Sequence, residues 1–381
     1  MKNLSERKSY KKRFRLPGKN LPPATEKSKR NTCGDDMTFP SPPASGDRAA
    51  LIAPSFAVTP QQLAQAEKSI RLLGLEPVIF PSCRSRKDYL AGSDQLRAGD
   101  LETSFADSSL KAVFCLRGGY GAARLLDLID FDVIRQNPKF FIGFSDITAL
   151  HTAFNQKCHL VTYHGPMPSA PYTRCDSRVT LYSLRQMLCG KPGKKDFSIR
   201  LKRAKLLFRP SGQKTVTPDD KTDIVMKGRL CGGNLTVLAA SLGTPYEIDT
   251  TDKILFLEDV GERTYRIDRA LTSLRLAGKI ACCSGILLGT FSDCHPARGG
   301  RTCEEIIKEA AEVAGVPVVS GLPCGHSAPH LTLPMGAWCQ VSRIPPSAPD
   351  SSQTLSFGAE SPADPEDPHE PEQFILRFSS R

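Results

Sequence analysis

Long apolar runs are missing from this 381-residue chain, and none approaches the roughly 20 residues that a membrane-spanning helix needs. The basic N-terminus is not followed by an apolar segment, which argues against a secretory signal. Cysteine is plentiful, with 13 residues, but no C-x-x-C pair occurs, so neither a zinc cage nor a disulfide framework fits the spacing. These absences predict a cytoplasmic protein with reduced cysteines and no membrane partner.

The chain also lacks the two common phosphate-binding motifs. Its glycine-rich stretch, Arg117-Gly-Gly-Tyr-Gly121, is not G-x-G-x-x-G and lacks the Lys-Ser/Thr of a P-loop. Backbone amides in such a stretch suit either a plain tight turn or the stabilisation of an oxyanion.

The net charge of +11 is concentrated at one end of the chain. Residues 1–48 contain 12 Lys/Arg and 5 Asp/Glu, which gives this arm a charge of +7. A basic arm can bind nucleic acid, but no aromatic residues alternate with the charges, so a solvated, disordered extension is the favoured interpretation. The opposite end, residues 346–381, is predicted to be a proline-rich, acidic tail, and Glu360–Glu372, with six acidic residues and four prolines, is interpreted as flexible.

Between these ends, strand-like and helix-like segments alternate. Residues 49–165 contain five near-continuous apolar strands, which predicts an N-terminal doubly wound parallel sheet covered by helices on both faces. A second, smaller α/β domain is predicted over residues 227–345. Residues 166–226 are rich in loop signals and are interpreted as a bridge between the two domains.

One stretch near the end of the first region combines a strand, a sharp turn and a helix. Residues 139–144 are an apolar run of strand length, and from Asp146 apolar residues recur at the spacing of one helix face. Ser145 therefore lies where a nucleophile elbow would place a serine hydroxyl. Only the first glycine of G-x-S-x-G is present, so a helix cap formed by Ser145 or Asp146 is the competing interpretation.

A serine nucleophile needs a base, and the base needs an orienting carboxylate. Three of the seven histidines follow a predicted strand directly: His164, His295 and His326. The strand over residues 253–259 ends in Glu258 and Asp259, whose side chains must point to opposite faces. Either carboxylate is a candidate, and an ion pair with a nearby arginine is the alternative for both.

With these residues identified, the chain resembles the LD-carboxypeptidases, a family of serine peptidases that includes muramoyltetrapeptide carboxypeptidases and microcin-immunity hydrolases. The matching segments occur in one order across residues 49 to about 345. They are Tyr89–Asp94, Arg117–Arg124, Gly143–Leu150, His164–Met167, Gly228–Leu235, Gly243–Tyr246, Phe256–Asp259, Tyr265–Arg269 and Gly325–His326.

The resemblance implies an active site at the interface of the two domains, with no metal or other cofactor. By position in the family motifs, the implied residues are Ser145 as nucleophile, Glu258 as orienting carboxylate, His326 as base, and the Asp146 and Gly119 amides as oxyanion hole. The implied reaction is hydrolysis of an LD-peptide bond that releases terminal D-alanine from murein tetrapeptide during peptidoglycan recycling. Because a murein tetrapeptide bears carboxylates, an exposed arginine such as Arg117 is a candidate substrate contact.

Several alternatives remain open beside this interpretation. The same fold also serves hydrolases of peptidyl or aminoacyl nucleotides, and a relic triad would leave a non-catalytic binding protein. Nucleic-acid binding through the arm is disfavoured, and a homodimer is what the family implies.

The chain departs from the family pattern in two places. Phe144 occupies the position before the serine where tyrosine is usual, and its side chain is expected to face away from the substrate. Residues 190–225 exceed the family's bridge in length.

Overall fold

Two β-sheets organise the part of the chain that the computed structural model describes. The described residues are 36–170, 178–188, 197–202, 204–212, 215–216, 223–296, 299–345, 354–357 and 372–379. The strands, numbered along the chain, are β1 (Arg48–Ile52), β2 (Glu76–Ile79), β3 (Leu110–Cys115), β4 (Phe140–Gly143), β5 (Thr162–His164), β6 (Phe197–Leu201), β7 (Lys205–Phe208), β8 (Thr215–Val216), β9 (Asp223–Asn234), β10 (Lys253–Val260), β11 (Gly285–Ser292), β12 (Val318–Ser320), β13 (Leu333–Met335), β14 (Trp338–Ile344), β15 (Thr354–Phe357) and β16 (Gln373–Ser379).

Helices cover both sheets. They are α1 (Pro60–Leu72), α2 (Asp94–Ala106), α3 (Phe131–Gln136), α4 (Thr148–Cys158), α5 (Arg178–Leu188), α6 (Leu235–Ala240), α7 (Thr264–Leu276), α8 (Lys279–Cys282) and α9 (Cys303–Ala314). Among the described residues, every helix is too short or too polar to cross a bilayer.

The N-terminal sheet has the strand order β13-β5-β4-β3-β1-β2. Its strands β1 to β5 are mutually parallel, and separate apolar clusters cover its two faces. The predicted doubly wound parallel sheet is therefore confirmed. Strands β2 and β3 lie on opposite sides of β1, so the connections that follow β1 and β3 run in opposite directions. The crevice between the ends of these two strands is a topological switch point, where ligands bind in open α/β sheets.

The second sheet contains a parallel core of β9, β10, β11 and β12. Strands β14, β16 and β6 extend it on one side and β7 on the other by antiparallel pairing, and β15 pairs parallel with β6, which gives the order β15-β6-β16-β14-β9-β10-β11-β12-β7. Helices α6, α7 and α9 bury apolar side chains against one face of this sheet. The structure thus contains the expected second α/β unit.

The chain crosses from the second sheet to the first between β12 and β13. After Ser320 it leaves the second sheet, and at Leu333 it pairs antiparallel with β5 of the N-terminal sheet, opposite His164. The intervening segment, which contains His326, is therefore fixed to a different sheet at each end.

The segment interpreted as an irregular bridge, residues 166–226, is largely regular where it is described. Helix α5 buries Leu184 and Leu188 against the N-terminal sheet, while β6 and β7 join the second sheet. Proline and glycine, which are typical of loops, led to the prediction of an irregular segment, so these short elements were not predicted.

Residues 358–371, which include most of the stretch predicted to be flexible, lie outside the described residues, but the prediction that residues 346–381 form a tail is wrong for residues 373–379. This stretch is strand β16, which pairs with β14 on one side and β6 on the other, and it buries Phe374, Leu376 and Phe378. The acidic, proline-rich composition just before it hid a strand that alternates apolar and polar side chains in its second half.

The boundary of the basic arm is also corrected. Residues 1–35 lie outside the described residues, but residues 36–48 do not form part of a disordered arm. Thr38 forms a parallel bridge with Leu160, and Phe39 packs against apolar cores of both sheets.

The residues after the glycine-rich stretch form only a short turn before the next helix. Ala122–Leu125 is a single 3-10 turn, and the helix that follows is α3, at Phe131–Gln136. The Asp130 side chain accepts a hydrogen bond from the amide of Asp132, so it begins α3 as an N-cap.

Substitutions in strand β16 test whether the C-terminal strand is part of the folded core. Leu376→Ala should lower the free energy of unfolding by about 2–5 kcal/mol, because it leaves a cavity in the second core. Ser379→Ala, at the partly exposed end of the same strand, should change it by less than about 0.5 kcal/mol. Urea unfolding of both variants checks this; equal, small effects would mean that the C-terminal strand is not part of the core.

Candidate active site

Ser145 lies at a strained turn between β4 and α4. Its φ of +64° is left-handed, a conformation that serine adopts rarely and that nucleophile elbows share. The 3-10 turn Ser145–Ile147 and helix α4 both begin without a side-chain cap, so neither Ser145 nor Asp146 acts as the competing interpretation predicts. The left-handed backbone of Ser145 and the missing side-chain caps favour a nucleophile elbow over a helix cap.

The Asp146 carboxylate ties the elbow to the two loops at the switch point. Its Oδ2 accepts hydrogen bonds from Ser55 Oγ (2.6 Å) after β1 and from the Ala122 amide (2.8 Å) after β3. Burial raises the pKa of this carboxyl, and the two hydrogen bonds act in the opposite direction. Asp146 thus holds the elbow against both loops, a structural role that the sequence pattern does not predict.

The glycine-rich loop touches Ser145 through Gly118. A Cβ on Gly118 would lie 2.9 Å from Ser145 Oγ and 3.3 Å from the Asp146 amide nitrogen, so only glycine permits this approach. Gly119, the expected oxyanion donor, is the next residue and has a φ of +111°. A Cβ on Gly119 would collide with the ring of Phe56.

Buried Arg97 holds the two loops in place beneath the site. It donates hydrogen bonds to the carbonyls of Pro54 and Gly121 and pairs with Asp94. The half-buried Arg117 lies at the loop's start with its guanidinium carbon 5.6 Å from the centroid of the Phe56 ring.

Glu258 and His326 form the central polar contact of the site. Glu258 Oε2 lies 2.7 Å from His326 Nδ1, and the carboxylate is fully buried at the end of β10. Burial raises the pKa of Glu258, and the hydrogen bond to His326 opposes that effect. With Nδ1 donating to the carboxylate, Nε2 is the nitrogen left to act as a base. A Cβ on Gly325 would lie 3.0 Å from Glu258 Oε2, so glycine allows the loop to approach this closely.

Strand alternation assigns a different task to Asp259. Its carboxylate accepts hydrogen bonds from Asn234 Nδ2 (3.0 Å) and from the amide and hydroxyl of Thr236 (2.9 and 2.7 Å), on the opposite face of β10. Asp259 therefore holds the start of α6, and Glu258 is the carboxylate that orients a histidine.

Phe144 brings the elbow and the histidine loop together. The centroid of its ring lies 4.8 Å from that of the His326 imidazole, one residue before Ser145. In the described part of the chain, no hydrogen bond joins the Ser145 hydroxyl to the His326 imidazole. Phe144, expected only to face away from the substrate, is thus in contact with the candidate base.

The other histidines do not have a buried carboxylate partner in the described structure. His295 is exposed, 3.9 Å from exposed Asp293, and His164 is fully buried. His151 is also buried, and its Nε2 lies 2.9 Å from the carbonyl oxygen of Gly143 at the elbow. Burial lowers the pKa of His151 to about 4.

A buried cluster beside the site was not apparent in the sequence. His164, Cys324 and His330 place their potential ligand atoms within 4.8 Å of one another. Burial lowers the pKa of His330 to about 3 and that of His164 well below the usual range. His164 lies 160 positions before Cys324 in the sequence, and the three residues match no spacing motif, so only the fold reveals the cluster.

Comparison with known proteins agrees with this architecture. Residues 49–165 match the family model of the LD-carboxypeptidase N-terminal domain, and residues 227–341 match that of the LD-carboxypeptidase C-terminal domain. The chain is 37% identical over 295 residues to the probable murein peptide carboxypeptidase of Bacillus subtilis, covering 77% of this chain and 88% of that protein. It is 32% identical over 299 residues to the murein tetrapeptide carboxypeptidase of Pseudomonas aeruginosa, covering 76% and 91%.

Solved structures show the same fold. The crystal structure of muramoyltetrapeptide carboxypeptidase from Oxalobacter formigenes superposes with a TM-score of 0.67 and 26% identity, covering 87% of this chain and 98% of that one. The wild-type apo structure of the microcin C7 self-immunity protein MccF gives a TM-score of 0.69 at 23% identity, covering 80% and 95%. The resemblance read from the motifs is confirmed.

Gly118→Ala tests the contact between the glycine-rich loop and the elbow. The new methyl group should displace the Ser145 hydroxyl, so labelling of Ser145 by a fluorophosphonate probe should slow at least about tenfold. Gly99→Ala, in helix α2 where a Cβ meets nothing within 4 Å, should label at the normal rate. Unchanged labelling of Gly118→Ala would contradict this arrangement.

The buried His151 predicts a pH dependence of stability. Its pKa falls from about 6.5 in the unfolded chain to about 4 when folded, so the unfolded state binds the extra proton. Stability is therefore fully present above the unfolded value and is lost as the pH falls towards 4, by about 2 kcal/mol between pH 8 and pH 5.

Urea unfolding of the wild type and of His151→Gln at about pH 8 and pH 5 measures this contribution. The free energy of unfolding of the variant should fall less steeply with acidification, because a glutamine side chain does not titrate. Parallel losses in the two proteins would contradict the assignment.

Proposed function

The chain belongs to the LD-carboxypeptidase family of serine-type carboxypeptidases, and on this premise we propose that it releases terminal D-alanine from murein tetrapeptide by hydrolysing an LD-peptide bond. The proposed machinery is a triad of Ser145, Glu258 and His326. The observation that carries it is the 2.7 Å contact between buried Glu258 and His326 Nδ1. The left-handed Ser145 and the Phe144–His326 contact add support.

In the first step, His326 Nε2 takes the proton of Ser145 Oγ as that oxygen attacks the carbonyl carbon before D-alanine. The imidazolium that forms is stabilised by Glu258, which also fixes the tautomer through Nδ1. A buried carboxylate is suited to this, because a low-dielectric environment strengthens its interaction with the imidazolium.

The negative charge on the carbonyl oxygen needs donors in the tetrahedral state. We assign this role to the backbone amides of Asp146 and Gly119. The Asp146 amide is the second in a 3-10 turn, where the first amides have no acceptor within the turn. The Asp146 side chain holds this turn against the loop that contains Gly119.

The tetrahedral state collapses when the carbon–nitrogen bond breaks and His326 donates its proton to the departing amine of D-alanine. Water then loses a proton to His326 Nε2 and attacks the ester of Ser145. The ester bond breaks, the proton returns to Ser145 Oγ, and the tripeptide carboxylate is released. Every proton in this scheme is transferred by His326, and no metal is required.

Substrate recognition involves carboxylates, because a tetrapeptide ends in one and carries others. We propose that Arg117, which lies at the start of the glycine-rich loop, contacts a substrate carboxylate.

A cytoplasmic location is consistent with the cysteines: the ten in the described residues are free, and all but Cys282 are buried.

The alternative substrate class is a peptidyl or aminoacyl nucleotide. One solved structure similar to this chain is that of MccF in complex with glutamyl sulfamoyl guanosine, with 23% identity and a TM-score of 0.68. This similarity shows the shared fold alone, so the choice depends on an assay.

The decisive experiment incubates the full chain with a defined murein tetrapeptide and quantifies D-alanine by mass spectrometry, with the pentapeptide, the tripeptide and an aminoacyl sulfamoyl nucleotide in parallel. We expect D-alanine from the tetrapeptide only. Ser145→Ala should lower its release by about 10³-fold or more, and Glu258→Gln by about 10²–10⁴-fold. Glu262→Gln, a carboxylate on the turn after β10, serves as the matched control.

Nucleotide cleavage without D-alanine release would transfer the assignment to the alternative class. Normal tetrapeptide turnover by Ser145→Ala would reject the triad itself. Circular dichroism of each variant separates loss of chemistry from loss of fold.

A further inference from the structure

The buried cluster of His164, Cys324 and His330 lies between the two sheets. His164 ends strand β5 of the N-terminal sheet, while Cys324 and His330 flank His326 on the segment that crosses between sheets. Their potential ligand atoms lie within 4.8 Å of one another. The solvent-exposed fractions of His164, Cys324 and His330 are 0%, 0% and 6%.

Three imidazole nitrogens in this cluster are buried without a hydrogen-bond partner in the described structure. They are Nδ1 and Nε2 of His164 and Nε2 of His330. A buried polar atom without a partner costs about 1–3 kcal/mol, so such groups are rare in folded proteins. The contrast with His151 is informative, because both ring nitrogens of that equally buried histidine are hydrogen-bonded.

The third member supplies sulfur. The Cys324 thiol donates a hydrogen bond to the carbonyl oxygen of Leu331 (Sγ···O 3.2 Å), which the loss of the thiol proton on metal binding would break. The cluster therefore combines two neutral imidazoles with a thiol, which is the donor set that zinc and similar soft metal ions select.

We propose that His164, Cys324 and His330 bind one zinc ion, with a fourth position open to water or to a nearby donor. Zinc–nitrogen bonds of about 2.0–2.1 Å and a zinc–sulfur bond of about 2.3 Å bring tetrahedral ligands to within roughly 3.3–3.6 Å of each other. The ligand atoms now lie within 4.8 Å of one another, so metal binding requires them to approach by somewhat more than 1 Å at the widest separation. The ion forms bonds to Cys324 Sγ and to one nitrogen of each histidine, and the thiol proton leaves to solvent.

Such an ion would position the catalytic loop without taking part in the reaction. It would join the end of β5 to residues two before and four after His326, so both sides of the loop would be fixed to the N-terminal sheet. The ring of Phe144 packs against His330 (4.6 Å between centroids) and against His326 (4.8 Å). Because both histidines contact this one ring, fixing His330 would also help to position the candidate base, His326. The ion would be a structural one, consistent with a triad that needs no metal.

Metal content is the direct test. Full-length protein without an affinity tag is stripped with a chelator, and Zn²⁺ or Co²⁺ is added. We expect about one ion per chain by mass spectrometry, and with Co²⁺ an intense thiolate-to-cobalt charge-transfer band that reports a Cys ligand. Zn²⁺ should also raise the midpoint of thermal unfolding, because the ion binds the folded chain.

Cys324→Ser should abolish the charge-transfer band, and His330→Asn should reduce metal occupancy at least about tenfold. Matched controls are Cys339→Ser, a fully buried cysteine in the same core, and His151→Gln, a buried histidine outside the cluster. Both should bind metal normally. Ser145→Ala should bind metal as the wild type does, so this result is independent of whether the proposed peptidase activity is found.

The wild-type measurement stands even if a ligand variant fails to fold. Uptake well below one ion per chain, with no effect of Zn²⁺ on thermal unfolding, would overturn the proposal. Stoichiometric uptake that persists in both ligand variants would overturn it as well, because the ion would then be bound elsewhere.

Discussion

The crossing of the chain from one sheet to the other is the constraint on which the candidate site depends. The segment between β12 and β13 pairs with the second sheet at one end and with β5 at the other. On this segment, His326 Nδ1 lies 2.7 Å from the buried carboxylate of Glu258 on β10, and the His326 ring contacts that of Phe144 at the elbow after β4. The same crossing explains how residues from distant parts of the sequence, Phe144 and Glu258, both contact His326.

Two buried carboxylates support this arrangement in different ways. Asp146 Oδ2 accepts hydrogen bonds from Ser55 and from the amide of Ala122, and this holds the elbow and both switch-point loops together. Glu258 has one partnered oxygen, bonded to His326, while its Oε1 has no partner among the described residues. A carboxylate that depends on a single histidine in a low-dielectric environment interacts strongly with that histidine when it becomes charged.

Sequence periodicity predicted the N-terminal sheet well because its buried parallel strands form near-continuous apolar runs. It failed where composition outweighed pattern, as at β16, and where a turn was too short to show a period, as at Ala122–Leu125. Alternation alone placed Glu258 and Asp259 on opposite faces, but which face meets a histidine depends on how the second sheet packs. The cluster of His164, Cys324 and His330 arises from long-range packing, which no local pattern encodes.

The neutral state of the buried histidines matters for the proposed reaction. Burial lowers the pKa of His330 to about 3 and that of His164 well below its usual range, so neither imidazole carries charge near neutral pH. A positive charge at His330 would lie just across the Phe144 ring from His326 and would repel the imidazolium that forms when Ser145 is deprotonated. The apolar packing suppresses these charges on the imidazoles, and in the proposed metal-bound state the Cys324 thiolate would offset half of the charge of a divalent ion.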